Sequence, residues 1–97
     1  MVKQEKILAG LFWYHQVMKY VYVLISKKDG IRYIGSGSSA IERLRRHNKG
    51  DYRFTKGHRP WNLTYTEQYL TRSEAVKREK FLKSGQGRKW LDEKGIK

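Results

Sequence analysis

The chain contains no cysteine. That excludes disulfide staples, thiolate metal sites and cysteine nucleophiles together. A single proline leaves no material for a Pro-rich linker. No apolar run approaches the ~20 residues that a membrane span requires. Acidic residues are few: nine Asp and Glu stand against 22 Lys and Arg, for a net charge of +13 with His neutral. At 97 residues the chain is also short. Two separate cores would each be too small to bury enough apolar surface, so one domain is expected.

What is present suits a packed soluble fold. Hydrophobic residues make up 38% of the chain and aromatics 13%, enough for a core despite 32% charged residues. The positive excess repels itself and destabilises a small fold, which points to an anionic partner. Nucleic acid fits best, because regularly spaced phosphates reward many dispersed cations. No segment joins a basic face to a long apolar one, which argues against a membrane surface.

Residues 1–17 differ from the rest. They hold a Leu11-Phe12-Trp13-Tyr14 cluster and fail as a signal peptide, because the apolar run is very short and no small-x-small cleavage site follows. A cytoplasmic protein is expected. The segment reads as an N-terminal extension, either a short helix packed on the body or a loose tail. A single domain over residues 18–97 follows, since Met18 opens the strongly patterned part.

Residues 20–25, YVYVLI, are β-branched and aromatic and predict a strand buried on both faces. Asp29-Gly30 is a two-residue hairpin signal, and residues 31–35, IRYIG, are the returning strand. That register sets Ser26 opposite Tyr33 and puts Tyr22 and Tyr33 on one face. Ser39-Ala-Ile-Glu42 is a capping box that starts a helix at about Ala40, running through Ile41, Leu44 and His47 and stopping by Gly50. Residues 49–60 read as a basic, turn-rich loop. Residues 61–69 alternate, which predicts a half-buried strand with Trp61, Leu63, Tyr65 and Tyr69 on one face. Thr71-Arg-Ser-Glu74 caps a second helix that reaches about Ser84. Gly85 and Gly87 break the chain before a short helix over residues 88–94. The order ββαβαα describes an α+β domain with three strands.

Three features carry chemistry. Glu79 falls on an apolar helical stripe between Ala75 and Leu82, where a carboxylate needs a cation: a basic side chain in a salt bridge, or a metal. Arg43 and His47 are four apart and share a helix face, either as a solvated basic surface or as an Arg on a phosphate with a His beside it. Zinc on His47 is disfavoured, since no second His or Cys sits at ligand spacing. Tyr22 and Tyr33 are either core rings or phenols that orient or deprotonate water, their pKa lowered by nearby cations.

Together these residues resemble the GIY-YIG nuclease family. Tyr20-Val21-Tyr22 stands for the first motif, ending in the same tyrosine, and Tyr33-Ile34-Gly35 is the second motif intact. Ile41-Glu-Arg43-Leu-Arg-Arg-His47-Asn48 looks like the family's helix. Phe54-Thr-Lys56, Arg59-Pro-Trp61 and Glu74-Ala-Val-Lys-Arg-Glu79-Lys are similar to its small stand-alone bacterial branch, itself similar to the N-terminal domain of the excinuclease C subunit. The resemblance runs from about Met18 to Leu91. It departs from the pattern at Ser36-Gly37, where relatives often carry a bulkier or basic residue.

The resemblance implies a three-stranded antiparallel sheet flanked by helices and metal-dependent hydrolysis of phosphodiesters by an endonuclease. Glu79 would bind one divalent ion, Mg²⁺ or alternatively Mn²⁺. Tyr22 or Tyr33 would act on water, Arg43 would hold the scissile phosphate and His47 would assist. DNA is favoured over RNA as the partner, in structured or damaged form as in repair or recombination, with targeting by a protein partner allowed. Arg45, Arg46, Lys49, Arg53, Lys56, Arg59, Lys83 and Arg88 are the expected phosphate neighbours. The alternative is a catalytically silent basic module that only binds nucleic acid.

Overall fold

The computed structural model describes residues 18–97, so the expected extension of residues 1–17 lies outside the described residues. In chain order the elements are β1 (Lys19–Ser26), β2 (Arg32–Gly37), α1 (Ala40–Lys49), α2 (Arg53–Lys56), β3 (Trp61–Tyr69), α3 (Arg72–Lys83) and α4 (Gly85–Glu93). The three strands form one antiparallel sheet in the order β2-β1-β3. The α+β class and the ββαβαα order therefore hold, with the short α2 added inside the basic loop.

β1 is the central strand, and helices cover both faces of the sheet, which is why Val21 to Leu24 are all buried. On one face Val21, Val23 and Ile34 pack against Ala75 and Leu82 of α3 and Leu91 of α4. On the other, Tyr22, Leu24 and Trp61 pack with Ala40 of α1. Each large side chain removed from water contributes roughly 1.5–3 kcal/mol before chain entropy is counted. The caps are as expected. Ser39 accepts a hydrogen bond from the Glu42 amide and Gly50, at φ 94°, ends α1. Thr71 accepts from the Glu74 amide at the start of α3.

Four expectations need correction. The β1–β2 turn has four residues, 27–30, because Ser26 N–H bonds the Ile31 carbonyl. Ser26 Oγ accepts from the Lys28 and Asp29 amides, and Asp29 Oδ1 accepts from the Ile31 amide, so local side chains hold a wider turn than Asp29-Gly30 alone suggests. Tyr33 consequently faces Leu24 rather than Ser26. This shift of two residues preserves the face of every side chain, so Tyr22 and Tyr33 still share one.

Second, the register of β3 slips at Thr64: Val23 opposes Tyr65 while Leu24 opposes Leu63. That bulge turns the strand over. Trp61 and Leu63 join the α1 face, and Tyr65 and Tyr69 join the α3 face, instead of all four lying together. Third, the basic loop contains α2, whose buried Thr55 anchors it. Fourth, Gly85 and Gly87 do not break the chain but open α4. Ser84, extended at ψ 168°, makes the break and caps the new helix by accepting from the Gly87 amide. Gly87 is where α4 meets α3, since a Cβ there would overlap the Phe81 carbonyl oxygen and the Leu82 Cα.

Candidate active site

Tyr22 projects from β1 toward α1 and is 1% exposed. Gly35 lies opposite it across the ladder, and a Cβ at Gly35 would overlap the Tyr22 ring and hydroxyl. The glycine of one motif thus makes room for the tyrosine of the other. The Tyr22 hydroxyl meets His47 Nε2 at 3.1 Å, and His47 Nδ1 meets Thr55 Oγ1 at 2.7 Å. Thr55 is fixed in turn, because its carbonyl accepts from the Trp61 indole N–H at 2.9 Å. Tyr22, His47 and Thr55 form a buried polar line from sheet to loop with both imidazole nitrogens satisfied. In the sequence Thr55 stands out only as part of the family-like stretch Phe54-Thr-Lys56, with no role of its own.

Burial, followed by the neighbouring Tyr33, raises the Tyr22 phenol above its ordinary range. Arg43 pulls the other way and loses. For Tyr22 desolvation is the larger effect, and Arg43 by itself does not acidify this phenol. The same burial, aided by Arg43, lowers His47 from 6.5 to about 4, so the ring is neutral at pH 7. The unfolded state then binds more protons than the folded one between those two values, and stability falls as pH drops through that window. We expect about 2 kcal/mol to be lost by pH 5. Thermal melts at pH 7 and pH 5 check this. The wild type should lose more than His47→Gln, and an equal loss in both would remove His47 as the cause.

Tyr33 is only half-buried. Its ring centroid lies 4.8 Å from His47, 6.5 Å from Tyr22 and 6.2 Å from Trp61. Its hydroxyl has no hydrogen-bond partner among the described residues, and it lines an open cavity of about 590 Å³ with Lys83 and Arg88. Arg43 donates through Nη1 to the Tyr52 hydroxyl at 3.3 Å and makes no ion pair among the described residues. Its guanidinium fills the space over Gly37 that a side chain would take. Arg43 also lines a cavity of about 230 Å³ with Lys19, Ser36, Ser38 and Arg72. Lys19 and Arg72 are cations that the sequence reading passed over, because only the fold brings the ends of β1 and β2 to the start of α3.

Glu79 reaches the site from the other side of the sheet. Ser36 opposes Val21 and so faces α3, where its hydroxyl donates to Glu79 Oε1 at 2.5 Å. Lys83, one turn along, pairs with Glu79 Oε2 at 2.6 Å. Lys83 Nζ also lies 6.0 Å from the Tyr33 ring centroid. The site thus wraps the edge strand β2, with the tyrosines, His47 and Arg43 on one face and Ser36 and Glu79 on the other. Lys83, bound to Glu79 and near the Tyr33 ring, is the side chain that spans the two halves. Among the described residues no three His, Asp or Glu side chains gather. One carboxylate with a hydroxyl beside it at an open rim is still a donor set that a hard cation accepts, with water and phosphate oxygens completing the shell.

The other expected phosphate neighbours divide. Arg45 and Arg46 both pair with Glu42, and Arg59 donates to the Lys56 and Lys49 carbonyls, so these three are partly committed within the fold. Lys49, Arg53 and Lys56 are exposed and make no ion pair among the described residues. Arg88 stands beside Tyr33 and Lys83 in the larger cavity. No helix among the described residues is long and apolar enough to cross a membrane.

The family model for the GIY-YIG catalytic domain matches residues 18–91. UPF0213 proteins of Staphylococcus aureus strains Mu3 and N315 are each 39% identical over 66 residues, which cover 67% of this chain and 79% of the relative. The solution structure of a UPF0213 protein from Bacillus halodurans aligns at 29% identity with a TM-score of 0.48, over 78% of this chain and 83% of that one. The matched span includes the strands and helices that carry Tyr22, Tyr33, Arg43 and Glu79, and it places the chain in the GIY-YIG catalytic-domain family, whose fold is that of a nuclease.

Proposed function

We propose that the chain is a metal-dependent endonuclease that hydrolyses phosphodiester bonds in DNA. The observation that carries this reading is the meeting of both halves of the site across β2, with Lys83 bound to Glu79 on one side and near the Tyr33 ring on the other. In the reaction a water oxygen bonds to phosphorus while the bond from phosphorus to the leaving sugar oxygen breaks. Arg43 binds the scissile phosphate and balances the charge that builds on its oxygens. Tyr33, whose hydroxyl is uncommitted, orients the attacking water, whose proton leaves to solvent while the departing sugar oxygen takes one up. Tyr22 is held by His47 and keeps that side of the site rigid. Glu79 and Ser36 would hold a divalent ion, Mg²⁺ or Mn²⁺, which supplies positive charge for the leaving oxygen when bound. We favour structured or damaged DNA in the cytoplasm, as in repair or recombination, because a site at an open rim is reached most easily where the duplex is interrupted. A protein partner for targeting is compatible with this reading.

A second reading is a silent binding module. It is favoured by one observation: both Glu79 oxygens already have protein partners. A carboxylate among phosphates would only weaken such a module, however, which argues for the enzyme. Binding is tested by fluorescence anisotropy of labelled DNA in EDTA at rising salt. For roughly five phosphate contacts the slope of log K against log salt is expected near −4 on duplex. A slope near zero would overturn the nucleic-acid reading in both forms.

A further inference from the structure

We infer that Phe54 is a stacking platform for an unpaired DNA base beside the scissile phosphate, an inference that rests on the nuclease reading and names its substrate as single-stranded or locally opened DNA.

Phe54 is 60% exposed although it is among the larger apolar residues of the chain. A lone exposed ring is ordinary, but this one is not isolated. Its centroid is 6.4 Å from Tyr33 and 5.1 Å from His58, and Tyr33 continues inward to the buried Trp61 at 6.2 Å. A file of rings therefore runs out of the core, past the phenol assigned to water, and ends in solvent at Phe54. The platform is also fixed. The next residue, Thr55, is 1% exposed and bonded to both His47 and Trp61, which pins α2 to the site. The neighbours Arg53 and Lys56 are exposed cations with no ion pair among the described residues, so the ring sits where a phosphate backbone would run.

An aromatic face in a cationic setting binds any base, because every base presents a π face. Bases inside a duplex are already stacked on both sides and must be extruded to use such a ring. The arrangement thus favours DNA with a base free at the cut site over continuous duplex. It is independent of the metal, since no carboxylate takes part.

The test compares a short, non-self-complementary single-stranded DNA with the blunt duplex it forms with its complement, bound in EDTA by the full chain. Phe54→Leu keeps apolar bulk and removes the π face, while Phe54→Trp enlarges it. The inference expects Phe54→Leu to weaken single-strand binding about tenfold while duplex binding changes little, and Phe54→Trp to match or exceed the wild type. A 2-aminopurine placed in the single strand should lose fluorescence on binding the wild type and not on binding Phe54→Leu. Equal weakening on both DNAs, or unchanged single-strand binding by a folded Phe54→Leu, would overturn this inference and leave the nuclease reading standing. Absence of binding to either DNA by the wild type would overturn both.

Discussion

Glu79→Gln is expected to leave the protein folded, to bind DNA as tightly as the wild type or more tightly, and to lose cleavage on the order of 10³-fold, matching the several kcal/mol that a Lewis acid contributes. The structure makes the variant informative. The Glu79 carboxylate is 20% exposed and its partner Lys83 is 49% exposed. Removing the negative charge returns a half-solvated ammonium to water, which costs under about 1 kcal/mol. The amide oxygen that remains still accepts from Ser36. A collapse in rate therefore cannot be a collapse in folding, and a thermal melt confirms the separation. Tighter binding is expected because one charge that repels phosphate has gone. A folded variant that cleaves at the wild-type rate would remove Glu79 from the reaction.

The two tyrosine hydroxyls are expected to fail in opposite ways. Tyr33→Phe deletes a hydroxyl with no partner among the described residues, so stability should barely change while the rate falls by about 10²-fold or more. Tyr22→Phe removes the group that meets His47 Nε2 at 3.1 Å in a buried setting. It strands a ring nitrogen, which costs about 1–3 kcal/mol of stability. Its effect on rate should be the smaller, because burial keeps this phenol protonated and leaves no phenolate to take a proton from water. Melting temperatures and single-turnover rates of both variants check this pairing. The reverse pattern would move the water to Tyr22, and full activity in both would reject a phenol mechanism.

Much of this was readable from local pattern. The strand of β-branched and aromatic residues, the two capping boxes and the alternation after Pro60 are short-range signals, and each produced an element where expected. The shared face of Tyr22 and Tyr33 survived a wrong turn length because parity, not register, sets the face. What was hidden depends on contacts distant in sequence. Thr64 carries no mark of a bulge, since the extra residue exists only relative to β1. Thr55 and α2 gain their meaning from His47 and Trp61. Glu79 was visible as a carboxylate on an apolar stripe, but its approach to the tyrosines around the edge of β2 was not. Residue types reveal which groups can do chemistry, and only the sheet order shows that two of them meet across an edge strand.

The most direct measurement of the central claim is nicking of supercoiled plasmid by the purified chain in Mg²⁺ and in EDTA, alongside Glu79→Gln. The nuclease account predicts open-circular product from the wild type in Mg²⁺, none in EDTA, and none from Glu79→Gln in either buffer. Absence of cleavage by the wild type in Mg²⁺ and Mn²⁺, on plasmid and on single-stranded and branched DNA that it demonstrably binds, would contradict the account and leave a binding module in its place.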